Sequence, residues 1–272
     1  MFDTLIELFS YPFMQRALIV GILVSLSAAL LGVSLVLKRY SLIGDGLSHV
    51  GFAAMCIALA LNLAPMIVSI PLVVVAAFLL LRLNDSSHIK GDAAIALISS
   101  TALALGVIVA SLRQGMNVDV SSYMFGSLLA VDTNDMYMSV ALSLLVLALF
   151  VVFYHRIFAV TFDEQFAKAT GTNVNLYNML IALLTAITIV IGMRMMGTLL
   201  ISSLIIFPAL TAMRVLRSFK GVVLCAAALS MFCMIAGLVC SSLMSIPAGA
   251  SVVMVNAIMF GLFSLISMIR KA

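Results

Sequence analysis

Asp45 and His49 combine the residue types and the spacing needed to hold a cation inside a membrane. Four residues turn an α-helix by about 400°, so the two side chains project from nearly the same face, one turn apart. A carboxylate oxygen beside an imidazole nitrogen suits zinc or manganese. From Ser41 to Leu81 no other Asp, Glu, Lys, Arg or His occurs. An ionised side chain near a bilayer centre costs about 2.5 to 3.5 kcal/mol, so it is normally found facing a protein interior, a polar pathway or an ion. Two other uses compete with cation binding: a buried hydrogen bond that staples helices, and a proton relay in a secondary carrier. The Gly and Ser residues interleaved in Ser41-Leu-Ile-Gly-Asp-Gly-Leu-Ser-His-Val-Gly51 let a neighbouring helix approach closely.

The elements that must carry this pair are membrane helices. Of 272 residues, 65% are hydrophobic and 9% charged, with mean hydropathy +1.30. Too little polar surface remains to clothe a soluble domain of that length. The net charge of +4 therefore speaks to topology, and no nucleic-acid partner is implied. A cleaved secretory signal is not expected, because Asp3 and Glu7 stand where a cationic region would be. A span needs about 20 apolar residues. Nine stretches qualify: 13–37, 41–62, 65–82, 92–112, 136–154, 176–193, 196–214, 221–243 and 250–269. The expectation is an all-α, polytopic transmembrane bundle forming one domain over 1–272. The number falls to eight if the short turn at Asn62 to Pro65 or at Gly192 to Gly197 marks a broken helix.

Basic residues orient the bundle. With the N-terminus outside, Lys38, Arg39, Arg82, Lys90, Arg156, Lys168, Arg214, Arg217, Lys220, Arg270 and Lys271 fall on the cytoplasmic side. Only Arg16, Arg113 and Arg194 fall on the other, as the positive-inside rule requires. At about 1.5 Å per residue from Arg39, His49 is expected roughly 15 Å deep, near the midplane, with Asp45 about 6 Å closer to the cytoplasm. One chain supplies two ligands. Two copies with these faces opposed would bring two aspartates and two histidines to one divalent cation.

The other candidates read as structural or as absent. Cys56, Cys225, Cys233 and Cys240 all lie in expected spans, and the 19 methionines are scattered; packing explains both. No Gly-rich phosphate loop followed by Lys and Ser/Thr occurs, so ATP hydrolysis belongs to another chain and this one is not an enzyme. Residues 45 to 49 also lack the glutamate of an intramembrane HExxH hydrolase. Asp119, Asp132 and Asp135 lie in the loop from Arg113 to Asp135, where they could draw cations toward the outer mouth. Pro208 removes a hydrogen bond inside the seventh span and should bend it, with Thr211 one turn away.

Four blocks together resemble the permease subunit of the zinc and manganese importers of the ATP-binding-cassette superfamily, and look closest to bacterial zinc-uptake permeases. They are Lys38-Arg-Tyr-Ser-Leu-Ile-Gly-Asp-Gly-Leu-Ser-His49, Val118 to Val131, Gly197 to Ala212 and Pro247 to Val253. The likeness implies a fold of the metal, siderophore and cobalamin importer type in a bacterial cell membrane. It implies Asp45 and His49 as metal ligands on the path, and Ser202, Pro208, Thr211 and Pro247 along the pathway or at a gate. The cargo it implies is a divalent metal, zinc first and manganese or iron next, with no permanently bound cofactor. The stretch Ile95 to Val109 lacks a histidine that such relatives can carry, which weighs toward manganese or iron. Its implied partners are a second copy of the chain, cytoplasmic ATPase subunits, an extracytoplasmic metal-binding receptor and the lipid bilayer.

The loop at 161–175 resembles the coupling helix that rests on the ATPase. Phe162, Phe166 and Ala169 stand at helical spacing beside Asp163 and Glu164, and Gly171 supplies a C-terminal cap.

Overall fold

The computed structural model describes residues 11–85, 91–112 and 133–270. Its helices are α1 (Pro12–Leu37), α2 (Ile43–Ala60), α3 (Pro65–Asp85), α4 (Gly91–Leu112), α5 (Thr133–Val152), α6 (Tyr154–Phe162), α7 (Glu164–Ala169), α8 (Val174–Met196), α9 (Thr198–Val215), α10 (Phe219–Met244) and α11 (Ala248–Ile269). Among the described residues, nine helices, all but α6 and α7, are long and apolar enough to cross a membrane. The expected fifth span ends earlier than its apolar run. The chain breaks at Phe153 and restarts as α6.

Most of these helices are apolar all round, so their exposure tells inner from outer helices. The apolar windows of α8 and α1 are 78% and 67% buried within the protein, against 11% for α11 and 17% for α4. Around α1 pack α5, α8, α9 and α10; α2 lies between α3 and α4 and also meets α8 and α9; α11 covers α9 and α10.

The turn into α2 sets the depth of Asp45 and His49. After α1, Arg39 takes a left-handed φ of 63°, and the amides of Arg39 and Tyr40 return to the carbonyls of Val36 and Leu35 at 3.1 and 2.8 Å. That closes a Schellman motif and reverses the chain before α2 begins at Ile43. Residues 39–42 therefore add no helical rise. Counted from Ile43, Asp45 is about 3 Å and His49 about 9 Å along the axis. The pair lies in the half of the span nearer Lys38, which corrects the expected midplane position. At the other end of α2 the same motif recurs, with Asn62 at φ 56° and Pro65 opening α3.

α9 is displaced toward the Lys38 end of the bundle. A β-carbon on Gly32, close to the end of α1, would overlap the backbone carbonyl of Ile205. With Ile205 and Ser202 also against Gly44, this seats the middle of α9 between the end of α1 and the start of α2. The α8–α9 corner itself lies at the other end of the bundle, beside Pro65 and Asp135. Gly197 turns it with φ 86° and ψ 163°, a conformation open to glycine. Because backbone cannot yield as a side chain does, Gly32→Ala is expected to cost roughly 1 to 3 kcal/mol. A thermal-unfolding scan of the purified protein reads this as a lowered midpoint; an unchanged midpoint would show that α1 and α9 separate freely.

Candidate metal-path site and coupling helix

α2 presents Asp45 and His49 from its first two turns. Asp45 Oδ2 lies 3.7 Å from His49 Nε2, too far for a good hydrogen bond. It is a natural separation for two ligands of one ion: bonds of about 2.1 Å would meet at an angle of roughly 120°. Asp45 keeps 57% of its side-chain surface open and His49 21%, while Gly44, Gly46, Leu47 and Ser48 around them are buried. A carboxylate open to lipid is costly, so this opening is the mouth of a polar passage or a face that another subunit covers.

Two glycines let neighbours close on either side of Asp45. A β-carbon on Gly46 would stand 2.6 Å from Ile95 Cγ2 of α4, and one on Gly44 would stand 3.7 Å from Ser202 Oγ of α9. The packing of α9 on α1 and α2 is what brings Ser202 here. Its hydroxyl donates to the Thr198 carbonyl at 3.0 Å, which leaves oxygen lone pairs for a cation or water. Pro208 and Thr211 are buried further along α9, and α9 continues through the proline to Val215. Pro247 is the N-cap of α11, at the end of the bundle away from Lys38. Of the four pathway candidates, Ser202 alone is brought against the first turn of α2.

Among the described residues no group of three His, Cys, Asp or Glu side chains exists. Among those residues the pair is therefore an incomplete ligand set, and the four cysteines, all free, do not extend it. Asp119, Asp132 and the block Val118 to Val131 lie outside the described residues. Asp135 is accounted for differently from the open charge expected of it: Arg194 donates to its carboxylate at 2.8 Å, with the two side chains 25% and 31% exposed. This pair ties the start of α5 to the end of α8. Arg194→Ala, which strands a half-buried carboxylate, is expected to lower the thermal midpoint more than Lys220→Ala at the surface; equal midpoints would remove the pair from the set of structural contacts.

The loop at 161–175 folds as two pieces. Asp163 is extended, with φ −150° and ψ 101°, and its carboxylate accepts from the Phe166 amide at 2.9 Å. Aspartate caps a helix better than it continues one, so the single amphipathic helix expected through Phe162, Phe166 and Ala169 is broken there. Phe162 ends α6, Phe166 stands on α7, and Ala167 supplies the buried face. Both phenylalanines and Ala169 are exposed, the rings at 74% and 65%. Gly171, with φ 79°, closes α7 in a Schellman motif: its own amide and that of Thr172 return to Lys168 and Ala167 at 3.1 and 3.0 Å.

Sequence reasoning missed what holds α7 in place. Lys38, the C-cap of α1, donates to Glu164 Oε1 at 2.5 Å and to Asn178 Oδ1 at 2.7 Å. Asn178 Nδ2 in turn donates to Glu164 at 3.2 Å. Burial pushes the Glu164 carboxyl up, but the hydrogen bond and charge of Lys38, with the Asn178 amide, outweigh it and hold the carboxyl below its ordinary range. A lowered folded value contributes stability above the ordinary carboxylate range that is lost as pH falls through the folded value. No local pattern announces this triad, because its members are 126 and 140 residues apart.

The chain matches the model of the ABC 3 transport family over residues 10–269. It belongs to the ABC 3 transport family. Among curated members, it is 32% identical to the manganese import system permease protein ScaB of Streptococcus gordonii, over 93% of this chain and 91% of that protein. It is also 32% identical to the high-affinity zinc uptake system membrane protein ZnuB of Haemophilus influenzae, over 90% and 94%. The solved PsaBC complex of Streptococcus pneumoniae with a Fab superposes with a TM-score of 0.86 at 31% identity, covering 97% of this chain and 95% of that one. A metal-chelate type ABC transporter in an inward-facing conformation shares the fold, with a TM-score of 0.72 at 16% identity over 92% and 85%. This ABC 3 family member is a multi-pass, all-helical importer permease.

Proposed function

We propose that this permease imports a divalent transition metal, manganese or zinc, and that Asp45 and His49 contact the ion on its way through. The observation that carries the reading is the Asp45–His49 pair, 3.7 Å apart and open on one side, on a helix with no other charged residue. The relatives reported above are manganese and zinc proteins, so the reading is kept to those two metals. One carboxylate and one imidazole accept either. Zinc remains the first candidate from the whole-chain likeness, and the apolar contact of Ile95 on Gly46 supplies no further nitrogen ligand from α4.

The working unit is a homodimer in which the open strips of two α2 helices face each other. Two carboxylates and two imidazoles then surround one ion and balance its charge. The ion arrives from an extracytoplasmic receptor, and two cytoplasmic ATPase subunits dock at the α6–α7 break through Phe162 and Phe166. Alternating access requires the walls around Asp45 and His49 to move when ATP closes those subunits.

The test is uptake of labelled zinc and manganese, in competition, into vesicles holding the permease with its ATPase and receptor. Uptake should need ATP and receptor and should survive an uncoupler. Uptake that an uncoupler stops and that runs without the ATPase would replace this reading with a proton-coupled carrier.

A further inference from the structure

We infer that Lys38 is the positioning residue that carries movement of α7 to the helix bearing Asp45 and His49. The inference rests on the reading that α7 meets an ATPase, and it assigns the mechanical link within this chain.

Three observations on the fold support it. First, α7 rests on α6 and α8, and among the described residues the Lys38–Glu164 pair is its ion pair to the α1–α2 corner. Glu164 is the first residue of α7, so the ammonium holds the end of the helix where its N-terminal turn is anchored. The Lys38 side chain is only 9% exposed. A charge so covered is held in one geometry by its partners, unlike a surface lysine that exchanges partners with water.

Second, little slack separates Lys38 from the metal-bearing turn. The chain from Lys38 to Ile43 is a closed Schellman turn, pinned by the Tyr40 amide on Leu35 at 2.8 Å. Beneath it, Leu35, Lys38, Ile43 and Asn178 line a void of only 10 Å³, and Ile43, the first residue of α2, is 1% exposed. Close-packed contacts transmit displacement and do not absorb it. Asp45 stands two residues beyond Ile43, so a shift or rotation of the corner moves its carboxylate directly.

Third, there is room on the other side. A cleft of 710 Å³ opens beside the triad, lined by Lys38, Phe78, Arg82, Phe162 and Glu164 among others. α7 can swing into that cleft while the triad stays closed, pulling the corner with it. Asn178 makes the triad three-cornered: it bonds both Lys38 and Glu164, so α8 serves as the fulcrum on which the other two elements move.

The experiment measures metal taken up per ATP hydrolysed by the complete permease, ATPase and receptor complex in vesicles, using zinc and manganese as the probe ions. Lys38→Met keeps the aliphatic stem and removes the charge. ATPase binding and hydrolysis should stay within about twofold of wild type, while metal per ATP falls by about tenfold or more. Glu164→Gln, which keeps an oxygen acceptor, should fall less. The exchange of Lys38→Glu with Glu164→Lys should recover most of the loss, a result that a merely structural lysine would not give. A wild-type ratio in Lys38→Met, or an exchanged pair that assembles yet stays as uncoupled as the single change, would overturn the assignment. Should Lys38→Met fail to assemble, a wild-type ratio in Glu164→Gln together with no recovery in the exchanged pair overturns it equally. Wild-type vesicles that take up neither metal would count against the importer reading itself and not against the link.

Discussion

Asp45→Asn is expected to abolish metal uptake, and His49→Ala to do the same. Asparagine keeps the shape and one oxygen of the aspartate but removes the charge that offsets a divalent cation where water is scarce. Alanine removes the nitrogen donor outright. Even changes one shell away from a metal cost 10- to 100-fold in affinity, so loss of a contacting group should lower uptake by at least about 100-fold. Asp45→Asn keeps the size of a side chain that is 57% exposed, and His49→Ala trims one that is 21% exposed, while the buried neighbours Gly44, Gly46 and Leu47 hold the helix in place. Co-purification with the ATPase should therefore be unaltered. Normal uptake by either variant, measured with the labelled ions, would remove that residue from the path.

The second large effect is expected at Phe166. Its ring is 65% exposed at a polar surface, on a short helix whose ends are fixed by the Asp163 cap and the Gly171 turn. An exposed aromatic on a rigid element is the kind of side chain that anchors an interface, where truncation costs about 2 kcal/mol or more. Phe166→Asp goes further by placing a carboxylate in the apolar pocket that would receive the ring. The ATPase should dissociate or lose its receptor-stimulated rate, while the isolated permease keeps its thermal midpoint. An unchanged stimulated rate would take α7 out of the interface.

What the sequence could and could not reveal follows from distance along the chain. The Asp45–His49 relation is local, so helical geometry alone placed both on one face. The spans were equally legible, because an uninterrupted apolar stretch of about 20 residues has few other uses. The depth of the pair was misplaced because residues 39–42 turn instead of extending the helix, and the left-handed residue there is Arg39 where a glycine would have announced the turn. Asp163 did carry the signal for the break between α6 and α7, being a strong N-cap residue, but the spacing of Phe162 and Phe166 masked it. Ser202 reaches Asp45's helix through the packing of α9 on α2, which hydropathy does not encode. The Lys38–Glu164–Asn178 triad and the Arg194–Asp135 pair join residues far apart in the chain, and no period or motif in one sequence foretells such a meeting.

The contact between the pair and the transported ion is tested most directly by anomalous scattering from zinc or manganese bound to the assembled permease and ATPase complex. The expected result is a metal peak between the two copies, about 2.1 Å from a carboxylate oxygen of Asp45 and from a ring nitrogen of His49. A peak elsewhere in the membrane, in a complex that still transports, with both side chains unligated, would contradict it.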